Sequence, residues 1–222
     1  MEVINEFIVR GIVVGVFQEN CWVIGNRNTR EAICIDPGDE PDEILALSRD
    51  MGVTIKRIAN SHAHLDHVLG VRGVQNETGA DFLLHNHDLE ILKNGWRNSA
   101  QRFGVDPDEP IPNPSYFLQD GDNLEVEGVN LQVITTPGHT PGSVSFYSDQ
   151  GFLFSGDTLF RGSIGRTDLP GGDYDQEMKS ICEKLFQLPD ETNVLPGHMS
   201  ETTIGFERQN NPFVQNWSKS LE

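Results

Sequence analysis

Three imidazoles and a carboxylate fall within six consecutive positions: His62, His64, Asp66 and His67, in the run Ser61-His62-Ala63-His64-Leu65-Asp66-His67. In an extended segment alternate side chains share a face, so His62, His64 and Asp66 are expected to project together past Ala63. His67 would then enter from the following turn. Neutral imidazole and carboxylate are ligands for zinc-like divalent ions, and a cluster this dense points to a metal centre.

Further metal-capable residues follow the same local design downstream. Residues 131–134 lead to His139 through Pro137-Gly138, residues 152–154 to Asp157 through Ser155-Gly156, and residues 194–195 to His198 through Pro196-Gly197. In each case an apolar run ends, a glycine appears, and a ligand-type side chain comes next. Glycine there lets the backbone turn sharply and approach a site closely. Five of the seven histidines belong to this distributed set. His85 and His87 form a second H-x-H with no place in it, and a capping or supporting role beside Asp88 is expected of them.

These residues need a scaffold that brings distant strand ends together. Short β-rich runs cover residues 7–9, 12–17, 21–24 and 32–35, and Asp36-Pro37-Gly38 reads as a turn. Residues 41–51 read as a helix stopped by Gly52, 55–59 as a strand, 68–78 as a helix and 81–84 as a strand; a further helix starts at 88–92. The second half repeats the rhythm, with strands at 124–126, 130–134, 144–147, 152–154 and 193–195 and helices at 174–185 and 203–209. Open α/β sheets place sites at the carboxyl ends of strands, so four such ends could share one rim. Periodicity fails over 95–116, where four prolines mark a loop. A long irregular loop in a compact domain suggests a lid, with Trp96 and Phe103 as candidate substrate contacts.

The histidine and aspartate pattern resembles the metallo-β-lactamase superfamily, whose motif is H-x-H-x-D-H followed by separated His, Asp and His. All seven ligand positions are filled here. The resemblance implies an α/β fold, a four-layer αββα sandwich of two similar halves, and two divalent metal ions. His62, His64 and His139 would hold the first ion, Asp66, His67 and His198 the second, with Asp157 bridging. Such ions sit roughly 3.5–4 Å apart and share a hydroxide. Zinc is the expected metal, with iron or manganese as substitutes, because His and carboxylate ligands accept all three.

A narrower likeness extends from the N-terminal strands through Phe213. Gly156-Asp157-Thr158-Leu159-Phe160, Gly162-Ser163-Ile164-Gly165-Arg166-Thr167-Asp168 and the stretch Thr202-Thr203-Ile204-Gly205 to Asn211-Pro212-Phe213 resemble type II glyoxalases and their short relatives. Those are hydroxyacylglutathione hydrolases. The resemblance implies hydrolysis of an acyl thioester, with S-acylglutathione as the expected form, by a hydroxide bridging the metals. Asp157 would fix the metal separation, Asp66 would offset positive charge, and Arg166 would meet the glutathione carboxylates. Full-length type II glyoxalases carry a C-terminal helical domain that contributes to the glutathione site. Here the sequence has only nine residues after Phe213, so one domain over residues 1–222 is expected. Persulfide dioxygenases share the layout and a G-R-T-D segment, and would instead use one iron on His62, His139 and Asp157. β-Lactamases are set aside because they place a cysteine where Asp157 stands, and nucleases because of charge.

The 222 residues carry 16 basic and 34 acidic side chains, a net charge of −18. That balance opposes a nucleic-acid partner and offers no polybasic patch for a membrane surface. No apolar run reaches the roughly 20 residues of a membrane span. Cys21, Cys34 and Cys182 are isolated and odd in number, which is no disulfide framework. A cytoplasmic enzyme acting on a small-molecule thioester is therefore expected.

Overall fold

A computed structural model describes residues 6–103 and 110–220. The first half builds strands β1 (Phe7–Val14), β2 (Glu19–Asn26) and β3 (Glu31–Ile35), helix α1 (Pro41–Met51) and strand β4 (Thr54–Ala59). Helices α2 (Leu65–Val68) and α3 (Val71–Thr78), strand β5 (Asp81–His85), helix α4 (Leu89–Ser99) and strand β6 (Tyr116–Leu118) complete it. The second half contains β7 (Asn123–Val126), β8 (Val129–Thr135), β9 (Val144–Ser148), β10 (Phe152–Gly156) and the small hairpin β11 (Leu159–Phe160) with β12 (Ser163–Ile164). Helix α5 (Tyr174–Lys179), strands β13 (Asn193–Pro196) and β14 (Thr202–Thr203), and helices α6 (Ile204–Asn210) and α7 (Pro212–Ser220) follow.

Two six-stranded sheets result, in the orders β1-β2-β3-β4-β5-β6 and β14-β13-β10-β9-β8-β7. Strand alternation explains why they stack. Along β2 and β3, Trp22, Ile24, Ile33 and Ile35 face the second sheet, meeting Leu131, Val133, Phe146 and Phe154. Their neighbours Cys21, Val23, Ala32 and Cys34 face the opposite way, onto Ile44, Leu47, Val68 and Val74 of the helices. A third apolar layer lies outside the second sheet, where Leu153 and Val194 meet Met178, Ile181, Leu185 and Ile204. Helix, sheet, sheet and helix therefore stack as the expected αββα sandwich. Strands buried on both faces read as continuous apolar runs, which is how β2 and β3 look in the sequence.

Local chemistry fixes the element ends. Helix α1 starts with Pro41 in its first turn, beside Asp42 and Glu43, where the missing proline N–H costs nothing and acidic groups suit the dipole. It ends at Gly52, in the left-handed region at φ 74°, whose N–H caps the Ser48 and Arg49 carbonyls.

Three details differ from the periodicity. The metal-motif segment is extended only to His64, and α2 begins at Leu65, so Asp66 and His67 sit on a helical turn. The stretch beginning at Gly95 is not irregular from its start: α4 continues to Ser99 and a 3₁₀ turn covers Ala100–Phe103. The helix expected over 174–185 is α-helical only through Lys179, then a π-turn at Ser180–Lys184. Part of the lid stretch, residues 104–109, lies outside the described residues. Trp96 is only 7% exposed and packs inward, so it is no substrate contact.

Phe146 is fully buried, and pairs with Phe154 on one side and Val133 on the other. Truncating it leaves a void between two rigid sheets that cannot collapse. Phe146→Ala is expected to cost about 3–5 kcal/mol in urea unfolding; a loss below ~1 kcal/mol would show that the sheets are not packed face to face here.

Candidate metal centre

Every ligand-type residue singled out in the sequence sits just past a strand end on one edge of the sandwich. His62 to His67 follow β4, His139 follows β8, Asp157 follows β10 and His198 follows β13. His62, His64 and His139 bring one ring nitrogen each within 4.8 Å of one another, and so do the donors of Asp66, His67 and His198. His139 Nε2 is 2.9 Å from His64 Nδ1 and 3.2 Å from His62 Nε2. His198 Nε2 is 3.3 Å from Asp66 Oδ2. Asp157 lies between the two groups: its Oδ2 is 3.7 Å from both His139 Nε2 and His198 Nε2, and its Oδ1 is 3.4 Å from His67 Nε2.

The neighbours of each ring decide where its proton sits. His139 Nδ1 lies 2.8 Å from the Arg166 carbonyl oxygen, which only accepts, so Nδ1 carries the hydrogen and Nε2 a lone pair. Ser61 gives its hydroxyl hydrogen to Asp36 Oδ2 at 2.6 Å, leaving its oxygen to accept from His62 Nδ1 at 3.0 Å. His62 Nε2 is therefore also a lone pair. Two lone pairs 3.2 Å apart repel, and a shared cation removes the conflict.

The other side is similar. His67 Nδ1 lies 3.1 Å from Asp36 Oδ2, an ion-pair contact without full hydrogen-bond alignment. Its Nε2 faces Asp157 Oδ1, and both atoms are buried without a hydrogen-bond partner. Buried polar atoms are rarely left so. The donor set and these orphaned atoms fit divalent metal ions held by imidazole and carboxylate.

Electrostatics of the protein alone agree. Burial, then the facing His67 and His139, holds the His62 imidazole well below its usual range. Burial and His139 bring His64 down to about 4. Both are neutral donors at physiological pH. Burial would lift the Asp157 and Asp66 carboxyls, but the surrounding imidazoles win and keep both below their ordinary values. Burial likewise opposes charge on His67, yet Asp157 and Asp36 raise it well above the usual imidazole range.

The sequence did not single out the residues that support this centre. Asp36 takes the Ser61 N–H and hydroxyl, both at 2.6 Å, and lies beside His67. It holds a left-handed φ of 49°, uncommon for a non-glycine residue. Glu19 is fully buried with neither oxygen hydrogen-bonded, and burial pushes its carboxyl well up despite His67 Nδ1 at 3.8 Å from its Oε1. Glu177 accepts the His139 N–H at 2.9 Å. Asp88 accepts from Ala63 N, Thr140 Oγ1 and Gly142 N, joining the two loops behind the histidines. An acidic residue at a strand end before a Pro-Gly turn was the one available signal, and it marked only Asp36. His85 caps the turn after β5 through the His87 N–H, as expected of the second H-x-H. The Arg166 guanidinium is exposed and pairs with Asp168 through two 2.9 Å hydrogen bonds.

Residues 14–198 match the metallo-β-lactamase superfamily. The chain belongs to that superfamily. Among curated relatives, the superfamily protein is 36% identical to the hydroxyacylglutathione hydrolase GloC of Haemophilus influenzae, covering 93% of this chain and 98% of that one. Among solved structures, BLEG-1 B3 metallo-β-lactamase superposes with a TM-score of 0.85 at 35% identity, covering 93% of this chain and 99% of that one. TTHA1623, solved in a di-iron-bound form, gives 0.79 at 38% identity over 92% of this chain and 99% of its own.

Removing Asp36 frees His67 and Ser61 together while leaving all seven candidate ligands in place. Asp36→Ala is expected to weaken metal affinity about 10–100-fold, read by competition with a chromogenic chelator. Unchanged affinity in a folded variant would mean that Asp36 orients nothing.

Proposed function

We propose that this superfamily member is a two-metal hydrolase of acyl thioesters, with S-acylglutathione as substrate. The observation that carries this reading is Asp157, whose two oxygens reach toward the His67 side and the His139 and His198 side at once. A carboxylate so placed suits a pair of cations better than a single one. The likeness to GloC supports the thioester as the bond cleaved.

Divalent ions held by these donors would supply a water ionised near neutral pH and a positive charge for the carbonyl oxygen. The chain's own groups set the conditions for that chemistry. His62 and His64, kept neutral, offer lone pairs and do not compete as acids. Asp66 and Asp157 stay ionised and offset positive charge at the centre. The Arg166 carbonyl fixes the tautomer and tilt of His139. A thiolate leaves readily, so no strong general acid is required at the sulfur. The Arg166 guanidinium, exposed on the same loop, can exchange Asp168 for a substrate carboxylate, which matches its bidentate geometry.

Elemental analysis of the purified protein, run beside three assays, tests the reading. The assays are thiol release from S-lactoylglutathione, oxygen uptake with glutathione persulfide, and hydrolysis of a chromogenic β-lactam. Two metals per chain with thiol release is the expected outcome. One iron with oxygen consumption would replace it with a persulfide dioxygenase, and lactam turnover without thiol release with a lactamase. Asp157→Ala is expected to abolish turnover, by ~10³-fold or more, while circular dichroism stays that of the parent. An active Asp157→Ala protein would sink the bridged-pair assignment.

A further inference from the structure

The second H-x-H of the sequence has a use in this fold. His85 closes β5, and its Nδ1 accepts the His87 N–H at 3.3 Å, which holds the turn Asn86–Asp88. That turn presents Asp88, whose side chain is fully buried. Its Oδ2 takes two hydrogens, from Ala63 N at 2.9 Å and Thr140 Oγ1 at 2.8 Å, and its Oδ1 takes Gly142 N at 2.7 Å. Ala63 lies between His62 and His64, and Thr140 follows His139. A single oxygen atom therefore pins both loops that supply the three-histidine group.

The His139 loop has little freedom apart from its fastenings. Gly138 N bonds Thr140 O at 3.1 Å, Thr140 N bonds Ser143 Oγ at 3.0 Å, and Thr136 N bonds Ser143 O at 2.8 Å, so residues 136–143 form a closed ring. A ring tied this way moves as a unit, and its anchor points decide where His139 stands. A Cβ on Gly142 would lie 2.5 Å from Asp88 Oδ1, so only glycine lets the ring come down on the carboxylate. Glu177 holds the His139 N–H from helix α5, but none of its described bonds reaches the His62 to His64 segment.

Asp66, His67 and His198 are secured by other groups. Asn60 Nδ2 holds the His67 carbonyl at 2.6 Å, and Asn20 Nδ2 holds the Pro196 and Met199 carbonyls flanking His198, at 3.0 and 2.9 Å. Asp36 serves both groups, through Ser61 toward His62 and directly beside His67. Among the described residues, no hydrogen bond of the Asp88 side chain reaches Asp66, His67 or His198.

We propose that Asp88 is a positioning residue for one metal site alone. It sets the spacing of His62, His64 and His139, and so the affinity of the ion they hold, without acting on the ion of Asp66, His67 and His198. This rests on the two-metal reading above, and adds that the two ions are supported separately.

The test is zinc binding to the metal-free protein, read by competition with a chromogenic chelator, with circular dichroism to check folding. His198→Ala isolates the three-histidine site, and His64→Ala the other. Adding Asp88→Ala to His198→Ala is expected to weaken zinc binding about 10–100-fold. Adding it to His64→Ala should change affinity by no more than about twofold, as for independent sites. Asp88→Asn keeps an oxygen for Ala63 N and Thr140 Oγ1, so in the His198→Ala background it should recover affinity relative to Asp88→Ala. Thr140→Val removes one bond to that oxygen and should weaken the same site alone, by about 2–10-fold; it decides the matter if Asp88→Ala does not fold. Equal weakening in both backgrounds would make Asp88 a general support of the fold and overturn the proposal. Unchanged zinc affinity of the three-histidine site would overturn it too, and Asp88→Asn as weak as Asp88→Ala would overturn the role of the shared oxygen. A parent protein that binds a single zinc ion at saturation would instead bring down the two-metal reading itself.

Discussion

His62 Nε2 and His139 Nε2, the ring nitrogens left without hydrogens by the bonds at their Nδ1 atoms, face each other at 3.2 Å, and His64 Nδ1 lies 2.9 Å from His139 Nε2. Such a cluster of imidazoles does not assemble by itself, because bringing two acceptors together and burying polar rings costs both Coulomb energy and lost hydration. The two sheets supply the force that holds it. Their interior packing places the ends of β4, β8, β10 and β13 on one edge, and each candidate ligand sits within a few residues of a buried strand. The repulsion is confined to the last turn, where the backbone is still governed by the core.

Contacts across the rim show how the two halves are locked. Val144 N bonds Ser61 O at 2.8 Å, Ala63 N bonds Asp88, and Asn20 Nδ2 bonds both Pro196 O and Met199 O. Trp22 Nε1 also reaches Pro196 O, at 3.1 Å. The β1 to β2 hairpin is therefore tied to the loop carrying His198, and the His62 loop to the strand after His139. Tolerance at the junction is small. A Cβ on Gly197 would stand 2.5 Å from Asp157 Oδ1 and 2.7 Å from His67 Cε1, so only glycine lets the β13 loop pass so close.

Sequence pattern picked out the seven His and Asp side chains that gather on this edge because metal chemistry restricts residue type so severely: few other demands would put His or Asp after four separate strands. Strands such as β2 and β3 were legible because they are buried on both faces and show unbroken apolar runs, whereas their stacking into a sandwich came with the family resemblance and not from the pattern. The supporting carboxylates were not legible. Asp36 looks like any turn aspartate, Glu177 like one of many acidic residues on a helix, and Glu19 like a hairpin residue. Their roles come from burial and from partners 17 or more positions away, which alternation and spacing do not encode. The helical start at Leu65 was hidden as well, because α2 is only four residues long and shows no period. Trp96 was misread for the opposite reason: an aromatic near a proline-rich stretch resembles a loop contact, whereas α4 carries it inward.

Asp36, Glu19, Asp66 and Asp157 gather around His67 and His198 at an edge where no lysine or arginine makes a described ion pair with them. Buried carboxylates without cationic partners are costly, and proteins commonly respond by taking up protons. Here Glu19 is pushed toward its neutral form by burial, while Asp66 and Asp157 hold His198 and His67 toward their charged forms. Protons on those two rings thus occupy the atoms that a metal would need. Loading the centre displaces them, so metal binding and proton release are one equilibrium. Glu19 is different, because burial pushes its carboxyl toward the neutral form and His67 Nδ1 stands off at 3.8 Å. The arrangement separates carboxylates that hold protons on neighbouring imidazoles from one that burial pushes toward its neutral form behind His67.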